Sequence, residues 1–240
     1  MTRTQRAVLC LGLSLSALAL AAPAVIPPFS ELTELTGKDS GWEPLEFPNI
    51  SKHTRYALVT EGDQQVVRAE ANGGASGLIA RLSLAPGDTL TLSWRWKVSN
   101  VFEKGDARTK SGDDYPARVY VAFEFEPDKA GFFERAKRKA AEVLFGETLP
   151  GKALNYVWAN TLPKGTFVPN AYTEDTMMVA VESGGDQAGQ WRTESRDLVA
   201  DYRKAFGEAP PNIVGVAIMT DSDNTGETAT AWYGDLSLGQ

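Results

Sequence analysis

The chain has 240 residues, of which 42% are hydrophobic and 23% charged, and this is the composition of an ordinary globular protein with an ample core. Its formal net charge of −7 speaks against binding of phosphate backbones, so nucleic acids are not expected partners. With one histidine and one cysteine, the chain has too few nitrogen and sulfur ligands for the usual zinc sites.

The first part of the chain has the order of a secretory signal peptide. Arg3 and Arg6 precede an apolar stretch that runs to Leu20, and small residues follow in a cleavage pattern. The apolar stretch is too short for a comfortable membrane span. We therefore predict a signal peptide over residues 1–22 and a single domain over residues 23–240. That domain is expected in the periplasm or secreted, with no stable membrane span after cleavage.

Beyond the signal peptide, most of the chain consists of short stretches with strand character, bounded by Gly, Pro, Asp and Asn turn signals. The predicted strands, apart from two treated separately below, are Tyr56–Glu61, Gln65–Glu70, Leu78–Leu84, Leu154–Asn160, Met177–Glu182, Trp191–Ser195, Ile213–Met219 and Ala229–Leu238. Two segments have a helical period instead: residues 129–145 and Asp197–Phe206, the second of which ends at Gly207.

The strongest strand signals are TLTLSWRWKV, which begins at Thr89, and ARVYVAFEFE, which ends at Glu126. In both, apolar and polar residues alternate strictly, which is typical of strands with one dry face. We expect the two strands to lie close together and to share one polar face. That face would carry Arg95, Lys97, Arg118, Tyr120 and Glu124.

Many short strands with two inserted helices predict a mainly β fold, an antiparallel β-sandwich of jelly-roll, galactose-binding-like type. An α/β sheet would need helices that alternate regularly with strands, and this sequence has no such alternation.

A possible metal site follows the predicted strand Ile213–Met219. Asp221, Asp223 and Thr225 stand at the first, third and fifth positions of a calcium-loop pattern, with a glycine at the sixth. The closing glutamate of that pattern is missing, so Asp235 or Glu227 would have to complete a calcium site in a different geometry. The alternative is a polar turn in which Asp and Asn side chains bind nearby backbone groups.

A loop over residues 99–116 joins the two strongest strands and is long enough to be a binding element. Either of its adjacent aspartates, Asp113 or Asp114, is placed to pair with Arg118. Aromatic side chains beside hydroxyl and carboxylate groups are suited to sugar rings, and Trp191 is the tryptophan most readily exposed. We therefore predict a carbohydrate ligand. The predicted binding residues are Arg118, Asp114, Asp113, Tyr120, Arg95, Glu124 and Trp191.

Four blocks, in the order WRWKV, GDDYPARVYVAFEF, LNYVWAN and VADYRKAFGEAPPNIVGVAIMTDSDNTGETATAWYGDLSLG, resemble a bacterial exported family called domain of unknown function 3047. The resemblance extends from about Trp42 to Leu238 and implies a single exported domain, without an activity. More loosely, AWYGDLSLG resembles the closing strand of jelly-roll carbohydrate-binding modules. In those modules an aspartate at the position of Asp235 often helps to hold a structural calcium.

Three functions remain open from the sequence. The first is a cell-envelope β-sandwich that binds a carbohydrate or glycan on a polar sheet face. The second is a carbohydrate-active hydrolase, which needs two carboxylates about 5–10 Å apart, or a lyase with Tyr120 as base and Arg118 neutralising a uronate. The third is a structural or partner-binding envelope protein. The carboxylates available for hydrolysis are Asp114, Glu124, Asp221 and Glu194.

Overall fold

The computed structural model describes residues 25–131, residue 135 and residues 150–239. The predicted signal peptide over residues 1–22 and most of the predicted helix over residues 129–145 lie outside the described residues. Within the described ranges, no helix combines the length and the apolar character that a membrane span requires.

Almost all of the regular secondary structure in the described chain is β-strand. They are β1 (Glu43–Leu45), β2 (Arg55–Glu61), β3 (Gln64–Asn72), β4 (Ala75–Leu84), β5 (Thr91–Val98), β6 (Arg118–Phe123), β7 (Ala153–Ala159), β8 (Phe167–Pro169), β9 (Thr176–Ser183), β10 (Arg192–Asp197), β11 (Ile213–Asp221), β12 (Thr228–Tyr233) and β13 (Ser237–Gly239). Helix α1 (Leu198–Phe206) confirms the second predicted helix. Its N-terminus is capped by the Asp197 side chain, and Gly207 ends it in the left-handed conformation at φ 75°.

The strands form two sheets that pack face to face. The seven-stranded sheet has the order β1-β4-β11-β6-β7-β9-β8, and the six-stranded sheet has the order β10-β5-β12-β3-β2, with β13 also paired to β5. Eight strands form the centre of the sandwich: β3, β4, β5, β6, β7, β10, β11 and β12. When these are numbered 1 to 8 in chain order, the seven-stranded sheet contains the order 2-7-4-5 and the six-stranded sheet contains the order 1-8-3-6. This interleaving of two Greek keys is the jelly-roll arrangement, so the predicted fold class is confirmed.

The core between the sheets is rich in aromatic rings. Trp94 packs against Tyr156 with ring centres 5.3 Å apart, and Trp96 packs against Trp158 at 6.0 Å. Trp94 and Trp96 come from β5 in one sheet, whereas Tyr156 and Trp158 come from β7 in the other. The alternating apolar residues of both sheets therefore point towards one another, as the sequence pattern predicts.

The prediction that β5 and β6 share one polar face is wrong. The two strands belong to different sheets, and their dry faces pack towards each other across the core. Their polar faces consequently look outwards in opposite directions. Arg95 and Lys97 lie on the outer face of the six-stranded sheet, while Arg118 and Tyr120 lie on the outer face of the seven-stranded sheet.

The predicted last strand, Ala229–Leu238, is interrupted. β12 ends at Tyr233, and β13 begins at Ser237. Between them the backbone N–H of Gly234 donates to the carbonyl of Arg95, and Leu236 turns into the core. In a continuous strand, Trp232 and Leu236 would lie on the same face. Because the strand is broken, Tyr233 and Leu236 both face the core, and Trp232 faces outwards.

Candidate functional site

Two polar clusters lie on the two outer faces of the sandwich. The first, called here the Arg118 cluster, consists of Arg118, Tyr115, Asp113, Asp114 and Asp221 beneath the 99–117 connection. The second, called here the tryptophan face, consists of Trp191, Trp232, Arg95, Lys97 and Gln64 on the six-stranded sheet.

Arg118 is only 2% exposed, and its guanidinium is fully engaged by the protein. Its Nε donates to Asp221 Oδ1 at 2.7 Å, and a terminal nitrogen donates to the other oxygen of Asp221. The Tyr115 ring covers the guanidinium at 4.4 Å. Asp113 Oδ1 lies 3.7 Å from Arg118, within ion-pair distance. Asp221, which the sequence analysis considered for calcium, is therefore the main partner of Arg118.

The adjacent aspartates of the loop have different partners. Asp114 accepts the backbone N–H groups of Asn224 and Thr225, so it holds the turn after β11 in place. Asp113 Oδ2 accepts from the Asn170 side chain at 2.8 Å. The two carboxylates therefore tie together segments that are distant in sequence.

Tyr120 also belongs to this side of the molecule, because Arg118 donates to its hydroxyl at 3.1 Å. Burial raises the pKa of Tyr120 to about 12, although the charge of Arg118 acts in the opposite direction. A hydroxyl with this pKa stays protonated near neutral pH. The lyase mechanism with Tyr120 as the base therefore gains no support from this environment.

Carboxylate oxygens of Asp114, Asp221 and Asp223 lie within 4.8 Å of one another, which makes them a candidate metal group. These carboxylates are poorly suited to a calcium ion, because both oxygens of Asp221 accept from Arg118 and both oxygens of Asp114 accept from backbone N–H groups. The guanidinium already supplies the positive charge at this position. Asp235 lies outside the group and accepts both hydrogen bonds of Ser30.

Thr225 contributes to the same turn with both its backbone N–H and its side chain. Its side-chain hydroxyl accepts from the backbone N–H of Glu227 at 3.4 Å, and the N–H of Gly226 donates to the carbonyl of Ser222 at 2.9 Å. Hydrogen bonds of this kind are typical of a polar turn, the alternative that the sequence offers to a calcium site.

On the tryptophan face, two partly exposed indole rings flank the cations of β5. Lys97 Nζ lies 4.2 Å from the ring centre of Trp232 and 5.4 Å from that of Trp191. The guanidinium of Arg95 lies 4.5 Å from the ring centre of Trp191. Contacts of this kind hold the rings in fixed orientations and leave part of each exposed to solvent.

On the same face, Arg95, which contacts the Trp191 ring, also lines an open depression of about 360 Å³. Residues that line it include Gln64, Ser93, Arg95, Thr193, Asp235 and Ser237. Thr193 stands directly opposite Arg95 in the pairing of β10 with β5, and Ser195 stands opposite Ser93. Because this pairing is a regular ladder, the hydroxyl groups and Arg95 have fixed positions along the depression.

The predicted site residues therefore separate into three places. Arg118, Asp113, Asp114 and Tyr120 come together in the buried cluster, whereas Arg95 and Trp191 come together on the opposite face. Glu124 lies at a third place, beyond the end of β6. Its carboxylate accepts from the Asn212 side chain at 2.8 Å and lines a separate cavity of about 240 Å³.

Sequence reasoning missed Trp232 and Gln64. A signal for Trp232 was present: Ala229, Ala231 and Tyr233 are the inward residues of β12, so the residues between them face solvent. Gln64 has no comparable signal, because its contact with Arg95 joins residues that are 31 positions apart.

The chain is similar in fold to several solved β-sandwich domains, at low sequence identity. The family 11 carbohydrate-binding module of the cellulosomal cellulase Lic26A-Cel5E of Clostridium thermocellum is 10% identical, with a TM-score of 0.41 and coverage of 91% of this chain and 95% of that chain. The K3 cleaved adhesin domain of Lys-gingipain from Porphyromonas gingivalis W83 is also 10% identical, with a TM-score of 0.43 and coverage of 90% and 99%.

A third structure, TmCBM61 in complex with β-1,4-galactotriose, is 7% identical, with a TM-score of 0.39 and coverage of 89% of this chain and 98% of that chain. Likeness at this level does not bear on function, and the fold assignment rests on the strand order described above. No protein of the curated set matches the sequence. The predicted resemblance is confirmed by a family model described as "Protein of unknown function (DUF3047)", which matches residues 40–237, and the chain belongs to this family.

Proposed function

We propose that this protein binds a carbohydrate on the tryptophan face. The observation that supports this most directly is the placement of Trp191 and Trp232, two partly exposed rings on one rigid sheet face beside an open depression. One side of a pyranose ring is apolar and packs well on an indole. The edges of such a ring carry hydroxyl groups, which need hydrogen-bonding partners close to the aromatic surface.

The depression offers those partners. Ser93, Thr193 and Ser237 contribute hydroxyl groups, Gln64 contributes an amide, and Arg95 contributes a guanidinium. All five residues belong to strands of the six-stranded sheet. A ligand would therefore meet a surface that is largely formed in advance, which reduces the entropy lost on binding.

The opposite face is less suited to a ligand. Arg118 is 2% exposed and its guanidinium is covered by Tyr115, so a sugar would have to displace protein contacts to reach it. The cluster is better explained as the structure that fastens the 99–117 connection and the turn after β11 to the seven-stranded sheet.

The positions of the carboxylates favour binding over hydrolysis. Asp114 and Asp221 are buried in the Arg118 cluster, Glu124 lies beyond the end of β6, and Glu194 is buried on the inward side of β10. On the tryptophan face, Asp235 accepts from Ser30 through both of its oxygens. The described residues thus bring no two of these carboxylates to one open cleft. We place this binding in the periplasm or outside the cell, following the predicted signal peptide.

The proposal is tested by titrating the purified protein with a panel of neutral and acidic plant, algal and cell-wall glycans. Trp191→Ala and Trp232→Ala should each weaken binding about tenfold, as expected from roughly 1–1.5 kcal/mol of aromatic contact per ring. Tyr172→Ala is the matched control, because Tyr172 is a 55% exposed aromatic whose hydroxyl contacts Lys110 and Asn224, next to the Arg118 cluster. Binding to no glycan, or binding that only Tyr172→Ala removes, would overturn the proposal.

A further inference from the structure

We propose that the carbohydrate bound on the tryptophan face is acidic and that Arg95 receives its carboxylate. The inference rests on the proposed function and specifies its ligand as a uronic acid residue within a glycan. The inference starts from the ion pairs on this face: the neighbouring cations pair with carboxylates, and Arg95 does not pair with one among the described residues.

The other cations of the face are neutralised by carboxylates of the protein. Lys97 Nζ lies 2.6 Å from Glu61, and Arg68 lies 3.3 Å from Glu70. Arg95 has no carboxylate at ion-pair distance among the described residues, and its one side-chain hydrogen bond there is donated to Gln64. A guanidinium has five N–H donors, so several donors of Arg95 are left for a ligand.

The side chain of Arg95 is held in position from two sides. Trp191 covers the guanidinium at 4.5 Å, and the backbone of Gly234 lies directly beneath the aliphatic part. A Cβ atom at position 234 would stand 2.6 Å from both Cγ and Nε of Arg95. Only a residue without a side chain allows Arg95 to lie flat on the sheet at this point.

Asp235 lines the same depression, but it does not neutralise Arg95. Its two oxygens accept from the backbone N–H of Ser30 at 2.9 Å and from the Ser30 hydroxyl at 2.6 Å. The aspartate is thus occupied by the segment before β1. The positive charge of Arg95 remains available where the depression opens.

A planar guanidinium is suited to a carboxylate because it offers parallel N–H groups that match the two oxygens. A sugar hydroxyl can use only one of those donors at a time. A uronate whose ring stacks beside Trp191 would therefore gain a charged contact that the neutral sugar lacks.

The test uses polygalacturonate, alginate and hyaluronan fragments, each compared with its own carboxyl-reduced form. These pairs keep the sugar backbone and change only the carboxylate. We expect the wild-type protein to bind the acidic member of at least one pair tenfold or more tightly than the reduced member. Arg95→Gln should abolish that preference by weakening binding of the acidic glycan at least tenfold more than binding of the reduced glycan, and Arg95→Lys should retain only part of the preference.

Gly234→Ala provides a second variant that retains the charge but displaces it. Its added methyl group should move Arg95 off the sheet and reduce the preference for the acidic glycan. Circular dichroism and thermal melts serve as the control that each variant is folded.

Equal affinity for the acidic and reduced forms, or a preference that survives in Arg95→Gln, overturns the acidic-ligand inference while the proposed function stands. Absence of binding to every acidic and neutral glycan overturns both. Binding that is unaffected by Trp191→Ala shows that the ligand occupies another surface and overturns both as well.

Discussion

Arg118 and Asp221 form a buried ion pair, in which Nε of Arg118 donates to Oδ1 of Asp221 at 2.7 Å and a terminal nitrogen donates to the other oxygen. Both residues are 2% exposed, and they join β6 to the end of β11 on the outer face of the seven-stranded sheet. Removal of Arg118 leaves the buried carboxylate of Asp221 without its cation, and removal of Asp221 leaves the buried Arg118 with Asp113 at 3.7 Å but without its closest carboxylate.

We therefore expect Asp221→Ala and Arg118→Ala each to lower the free energy of unfolding by about 3–5 kcal/mol. Urea denaturation measures this loss. Arg55→Ala is the matched control, because the Arg55 side chain is 81% exposed and lies 3.6 Å from Glu70. It should leave the unfolding midpoint nearly unchanged. A comparable loss from Arg55→Ala and Arg118→Ala would contradict the structural role of the buried pair.

Calcium should not stabilise the protein through the Asp114, Asp221 and Asp223 group. The oxygens of the two buried members already accept from Arg118 and from backbone N–H groups, so few of their lone pairs are left for an ion. Thermal melts in millimolar calcium and in chelator should therefore give the same midpoint. A higher midpoint in calcium that Asp223→Asn removes would show that this expectation is wrong.

Stability should depend on pH through Glu194. Burial raises the pKa of Glu194 to about 7, with Lys164 opposing and Glu182 adding to the increase. A raised pKa means that the folded state keeps this proton more strongly than the unfolded state does. The stabilisation that protonated Glu194 gives to the folded state is fully present below the pKa of this group in the unfolded chain, about 4.5. It is lost as the pH rises through the folded-state pKa of about 7.

The groups around Glu194 belong to several elements. Glu182 on β9 accepts from Lys164 at 2.9 Å and from Arg192 at 3.1 Å. Burial acts to raise the pKa of Glu182, but these two cations lower it overall, so Glu182 stays ionised beside Glu194. Trp96 on β5 acts to lower the pKa of Glu194, and Trp94 stands directly opposite Glu194 in the pairing of β10 with β5.

Glu194→Gln removes the titrating group and keeps a side chain of similar shape. The free energy of unfolding of the wild type should fall, relative to this variant, as the pH rises from 5 to 8. Denaturation curves at intervals across this range give the comparison. Parallel pH profiles for the two proteins would be inconsistent with a buried, protonated Glu194.

The inward and outward tryptophans should differ sharply in their effects on stability. Trp158 is fully buried and packs on Trp96, so Trp158→Ala should cost about 3–5 kcal/mol. Trp232 lies on the outer face above Lys97, and Trp232→Ala should cost little stability while it weakens glycan binding. Similar losses of stability for the two variants would contradict the assignment of Trp232 to the surface.

Much of the secondary structure could be predicted because local periodicity reflects burial on one side of a strand. In β5, residues Leu92 to Val98 alternate between buried and half-buried positions as the letters of the sequence indicate. The short edge strands β1 and β8 were missed. β1 contains Pro44 and β8 ends in Pro169, and proline weakens a strand signal although edge strands tolerate it.

The candidate site could be predicted only in part. Aromatic, charged and hydroxyl residues were recognised as the chemistry of sugar binding, and Trp191 and Arg95 do lie together. Their grouping with Arg118 was wrong, because alternation tells which residues share a face of one strand but not which strands share a sheet. The partner of Arg118, Asp221, is 103 residues away in the chain, and no local pattern reports such a distance.

By itself, the sequence determined the family, the β-rich fold class and the dry and polar sides of individual strands, since these depend on residues close together in the chain. Only the tertiary structure decided that β5 and β6 belong to opposite sheets, that Arg118 is buried and that no carboxylate of the described residues pairs with Arg95. These properties depend on long-range pairing: strands distant in sequence meet when the apolar faces of the two sheets exclude water from one shared core.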